Sequence, residues 1–160
     1  MKTNLLVPLI AFTCLALAPE GHAQDSKLSF SLSMGEGYLD EPDIDEDYAN
    51  IGVRYAQSAG PAAEWGGFYE IATDDLEIDL LCGFYRNYLQ PEGTRAFIEL
   101  DFGLAMGDED TNLAFGGMLG VTHDLNEQNS LDLGFRYIFT EDDYTAYNLS
   151  SLVLSYSMSM

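Results

Sequence analysis

Alternation of apolar with small polar residues, kept at a period of two and repeated eight times, is the feature of this chain that most restricts its fold. Over residues 28–34 (LSFSLSM) every even position is apolar and every odd one is serine, the signature of a strand with one greasy and one wet face. The pattern returns at Ile51, Val53 and Tyr55, at Trp65, Tyr69 and Ile71, and on the even positions from Leu76 to Phe84. It continues on the even positions from Ala96 to Leu104, at Leu113, Phe115, Leu119 and Val121, on the odd positions from Leu131 to Phe139, and on the even positions from Leu152 to Met160. No segment carries a convincing helical period. Eight strands of about ten residues, joined in sequence, predict an up-and-down antiparallel meander.

What precedes the alternation is a different kind of sequence. Lys2 stands ahead of an apolar stretch from Leu5 to Ala18, followed by a Pro19/Gly21 break and by the small residues Gly21 and Ala23. Residues 1–23 therefore read as a secretory signal peptide, the apolar run of about 14 residues being short of the roughly 20 that a helical span requires. Residues 24–160 form one domain in this reading, a length that suits a single core. After cleavage Cys82 is the one cysteine left, which excludes an intramolecular disulfide framework and a Cys/His metal set.

Charge separates the connections into two classes. The first, third, fifth and seventh, over residues 40–47, 73–75, 107–110 and 141–143, hold fourteen acidic residues and no base. In a meander these four lie at one end. The whole chain has six Lys and Arg against 27 Asp and Glu, a net charge of -21, and a nucleic-acid partner is excluded because phosphate binding needs clustered cations.

A soluble periplasmic barrel that binds a ligand would alternate too, with the apolar face turned inward. Against it stand a polar face rich in Gly, Ser and Ala, suited to a narrow lumen, and aromatic residues gathered near strand ends. Tyr38, Tyr69, Phe139 and Tyr147 lie near the acidic end, with Phe30, Tyr55, Trp65, Tyr88 and Tyr156 near the other, the placement of two interfacial girdles. The polar faces also carry charges of both signs: Arg54, Glu70, Glu77, Asp79, Glu99, Asp101, Asp132 and Arg136. These are expected to plug the lumen as ion pairs, since a narrow barrel must pair what water cannot solvate.

In this architecture, and most closely in residues 129–137 (NSLDLGFRY), the chain resembles the small OmpA/OmpX-type outer-membrane barrels of Gram-negative bacteria. The resemblance implies an all-β, eight-stranded antiparallel up-and-down transmembrane β-barrel in the cell outer membrane, both termini periplasmic and the acidic loops outside. It implies outer-membrane lipid, lipopolysaccharide and the barrel-assembly machinery as partners of a monomer.

Catalytic chemistry finds little to work with. His123 ends a strand without an adjacent serine, so it does not supply the pair of a lipid-modifying enzyme, and no catalytic residue or cofactor is assigned. Asp43, Asp45 and Asp47 have the opening spacing of an EF-hand loop, but Tyr48 and Arg54 occupy the positions that need Gly and a bidentate Glu. Weak capture of Ca²⁺ or Mg²⁺ by those three carboxylates is the remaining metal expectation. The expected function is a non-enzymatic, structural or surface-interacting outer-membrane barrel; a soluble periplasmic binding barrel and an outer-membrane lipid-modifying enzyme are the alternatives. The leader is testable at once: mass spectrometry of the native protein should find Gln24 at the N-terminus, and an intact Met1 would contradict the assignment.

Overall fold

The computed structural model describes residues 26–39, 44–73, 77–90, 93–107, 111–141 and 147–160; the leader expected over 1–23 lies outside them. Eight strands follow one another: β1 (Ser26–Leu39), β2 (Ile44–Gly60), β3 (Ala63–Ala72), β4 (Asp79–Tyr88), β5 (Thr94–Met106), β6 (Thr111–Asp124), β7 (Asn129–Glu141) and β8 (Tyr147–Ser159). Each pairs antiparallel with the next, and β8 closes on β1 from Lys27↔Ser159 to Leu39↔Tyr147. The result is a closed barrel, in which the ladders of the wall find their partners without water; among the described residues, β2 before Asn50 forms a ladder with β1 alone.

Because the side-chain period is two, closure sorts the residues into an outer and an inner set. The apolar set faces out: Leu100, Phe102 and Leu119 are 65%, 64% and 62% exposed. Facing in, Arg136 and Glu70 are completely buried. A soluble barrel would have these faces exchanged, so the soluble reading is overturned; strands of ten residues or more are long enough to cross a bilayer at a tilt.

One strand departs from the expected parity. In β4 the even residues Leu80, Cys82, Phe84, Arg86 and Tyr88 point inward, and Asp79, Gly83 and Tyr85 do not. Register imposes this, since residues paired across strands share a face: Tyr85 lies between Trp65 and Leu100, and Gly83 between Gly67 and Phe102. Glu77 precedes the strand with φ at 48°, a left-handed backbone after which Ile78 enters the interior, 6% exposed. Tyr88 is thus an interior residue and no part of a girdle, and Tyr85 takes the outer position near Trp65. The first connection is shorter than the expected 40–47, because β2 already begins at Ile44, whereas the third runs longer than 73–75, β4 beginning only at Asp79.

The assignment of faces makes a direct prediction. Leu100→Arg, near mid-wall and outward, should cost roughly 2–4 kcal/mol in a bilayer unfolding measurement, and a Leu100→Ala control much less. Equal stability of the Arg and Ala variants would contradict an exterior wrapped by hydrocarbon.

Candidate functional site

The barrel interior is where this chain concentrates its unusual chemistry, and it is layered along the axis. Towards the end that carries the acidic connections, Tyr48, Ile78, Leu80, Cys82, Ala105, Ala114, Ile138 and Leu149 form a buried apolar cluster. Beneath it, at mid-height, lie charges supplied by five strands. The opposite end, formed by the connections after β2, β4 and β6, opens as a polar mouth.

Ion pairs in the middle layer cross the barrel and do not merely join neighbouring strands. Arg136 on β7 meets Glu70 on the opposite wall, β3, through two bonds, Nη1–Oε1 at 2.9 Å and Nη2–Oε2 at 2.5 Å. Ser33 donates to the same carboxylate at 3.0 Å. Arg54 on β2 donates to Glu99 on β5 at 2.6 Å, and Arg86 on β4 takes the other oxygen of Glu99 at 2.7 Å. Arg86 then reaches Asp132 on β7 at 2.6 Å. Bidentate and shared contacts of this kind are the strong, geometrically specific form of the ion pair. Aromatic faces fill the rest of the space around the guanidiniums: Arg86 lies 3.8 Å from the centre of the Phe97 ring and Arg54 4.4 Å from that of Phe84, favourable contacts where water is excluded.

Two glycines make room for this layer. A Cβ on Gly52 would fall 2.4 Å from Cγ of Glu70, and one on Gly120 would fall 2.5 Å from Cζ of Phe97. The small residues of the polar faces are therefore spacers for long charged and aromatic side chains from across the barrel.

Of the eight residues expected to form the lumenal charge cluster, Arg54, Glu70, Glu99, Asp101, Asp132 and Arg136 are buried in the interior. Glu77 and Asp79 are not among them. Glu77 is exposed, and Asp79 clamps the upper end of the β3–β4 seam, accepting from the Tyr69 hydroxyl and the Ala72 N–H, each at 2.9 Å. Arg86, 3% exposed, is the central residue that sequence reasoning missed. Its signal was present: an even-numbered outer face on β4 would have placed a guanidinium in lipid, at a cost no neighbouring residue offsets.

Asp101 stands apart. Each of the three interior guanidiniums is engaged by Glu70, Glu99 or Asp132, while both oxygens of Asp101 are buried without a hydrogen-bond partner. Four carboxylates thus share three cations. Elsewhere, His123 faces outward at the end of β6, its Nδ1 2.9 Å from the Thr94 hydroxyl. Of the residues expected to capture a cation, Asp43 lies outside the described residues, Asp45 is placed only by its register opposite Tyr38, and Asp47 is exposed opposite Glu36.

These contacts fix opposite outcomes for two substitutions. Arg136→Met leaves Glu70 buried without its partner and should lower unfolding stability by about 3–5 kcal/mol, whereas Asp101→Asn removes the surplus charge and should leave the denaturation midpoint unchanged or raised. A stable Arg136→Met, or an Asp101→Asn variant as damaged as it, would contradict the pairing described.

No protein-family model matches the chain, and no curated protein matches it in sequence. Solved structures do match in shape. Outer membrane protein H (OprH) of P. aeruginosa, solved in DHPC micelles, is similar at a TM-score of 0.63 and 18% identity, over 85% of this chain and 99% of that one. Neisserial surface protein A (NspA) is similar at 0.58 and 10% identity, over 81% of this chain and 95% of the other. De novo designed transmembrane β-barrels match at 0.50 and 9% identity, over 82% of this chain and 95% of theirs. Sequence identity this low carries the fold and nothing finer: the chain is built as a small eight-stranded transmembrane β-barrel.

Proposed function

We propose that this chain is a non-enzymatic, monomeric barrel of the bacterial outer membrane, structural or surface-interacting, whose acidic end faces outward among lipopolysaccharide and takes up divalent cations weakly. The observation that carries the reading is the pairing of an apolar exterior with a filled interior. Among the described residues, side chains fill the apolar and charged layers of the lumen, the void at the lower edge of the charged layer being about 10 Å³, room for one water; the wider space lies at the mouth. That arrangement suits a surface presented by a rigid stave wall and does not suit a pore. OprH and NspA, by their names an outer membrane and a surface protein, support the location. The barrel-assembly machinery would insert it.

Register supplies a reason for cations at the acidic end. Glu36 on β1 stands directly opposite Asp47 on β2, both exposed, and like charges facing across a sheet repel. Glu46 lies one position further up the same hairpin, and fourteen acidic residues belong to that end. A hard divalent ion relieves such repulsion by accepting carboxylate oxygens, with lipopolysaccharide phosphates as co-ligands.

Millimolar Ca²⁺ should therefore raise the unfolding temperature and shift the resonances around Glu36 and Asp47 more than Na⁺ at matched ionic strength. Replacing Asp43, Asp45 and Asp47 together by Asn should remove that difference and change barrel stability by less than about 0.5 kcal/mol. If Na⁺ and Ca²⁺ act alike, the end holds only a diffuse ion atmosphere.

A further inference from the structure

Cations are scarce in this chain, and the fold leaves two of the described ones within reach of solvent. Arg54, Arg86 and Arg136 are sealed in the interior. Lys27, which is ion-paired to Glu64, and Arg95, which is paired to Asp124, keep side-chain exposures of 20% and 13%, and both open on one cavity of about 590 Å³ at the end opposite the acidic connections. Any anion that touches a described cation of this protein must do so there.

The cavity is built for a polar molecule. Its floor is Tyr88, with the Arg95 guanidinium 4.3 Å and the Lys27 ammonium 5.7 Å from the ring centre. Hydroxyls of Ser58 and Ser130 and the amide of Gln128 line the wall. Arg95 spends one donor on Asp124, Nη2 to Oδ1 at 2.8 Å, while its Nε is buried with no partner. A buried donor without an acceptor costs free energy, and this one belongs to a planar fork shaped for carboxylate.

We infer that this mouth binds the carboxylate of a small polar molecule, of the type of a short peptide C-terminus, on Arg95 with Lys27 beside it. Charge selects the single-charge ligand. Glu64, Asp124 and Glu127 also line the cavity, and the chain carries -21 overall, so a doubly charged phosphate meets more repulsion than a carboxylate does. The mouth presents these groups whichever end of the barrel faces outward.

The test uses the full-length mature protein in detergent micelles, following the Arg95 Nε–H resonance during titration with N-acetyl-glycyl-glycine, its C-terminal amide, or inorganic phosphate. Saturable shifts are expected with the carboxylate, none with the amide, and weaker binding with phosphate. Asp124→Asn frees the guanidinium and should tighten carboxylate binding several-fold. Arg95→Gln should weaken it about tenfold or more, the worth of a charge-assisted hydrogen bond. Should Arg95→Gln fail to fold, the amide comparison and Asp124→Asn still decide. Equal shifts with the amide, no saturation, phosphate binding as tight as carboxylate, or an Asp124→Asn variant that binds no better would each overturn the proposal.

Discussion

A guanidinium enclosed in a barrel wrapped by hydrocarbon has no bulk water to turn to, and its position is tolerable only if a carboxylate arrives from elsewhere on the wall. Here the carboxylates arrive from across the axis. Arg136 and Glu70 sit on opposite strands, Arg54 on β2 reaches Glu99 on β5, and Arg86 on β4 reaches Asp132 on β7 while also pairing with Glu99 on the adjacent β5. The pairs between non-adjacent strands exist only once the sheet has closed, so they reward closure itself and fix which residues lie at one height. Pairing neighbours along one hairpin would confer no such selectivity.

The remaining features of the interior follow from making room for those pairs. Serines on β1 and β8 keep that side of the lumen small; Ser29 and Ser157 bond to each other at 2.8 Å and Ser33 donates to Glu70, while the Ser151 and Ser155 hydroxyls are buried without a partner. Gly52 and Gly120 yield their side-chain volume to Glu70 and Phe97. Above the charged layer the apolar cluster from Tyr48 to Leu149 closes the lumen, and below it the mouth opens. The described interior is thus asymmetric along its axis, filled by apolar side chains towards the acidic end and open at the other.

Most of this was legible because a membrane barrel writes its faces into the sequence at a period of two. Seven strands could be assigned to face lipid or lumen from alternation alone. In β4 apolar residues occupy both faces, with Leu81 and Tyr85 on one side and Leu80 and Phe84 on the other, so hydrophobicity carries no parity there. Arg86 does carry it, since the face that holds a guanidinium has to be the inner one. Three-dimensional pairing of the charges was not legible, because Glu70 and Arg136 are 66 positions apart and meet only by closure. The same holds for Lys27 and Arg95, which are unremarkable in sequence and come together at Tyr88.

The account is tested most directly on β4, where the interior charge sets the fold against the hydrophobic pattern. In a Cys82→Ala background, single cysteines at Phe84 and at Tyr85 would be labelled with a fluorophore in the folded, bilayer-inserted protein and exposed to a lipid-phase quencher. A parity set by Arg86 predicts that the label at Tyr85 is quenched, while Phe84, buried at 7% exposure against 48% for Tyr85, resists labelling or escapes the quencher. Quenching at Phe84 with protection at Tyr85 would place Arg86 in lipid and contradict the cross-barrel network.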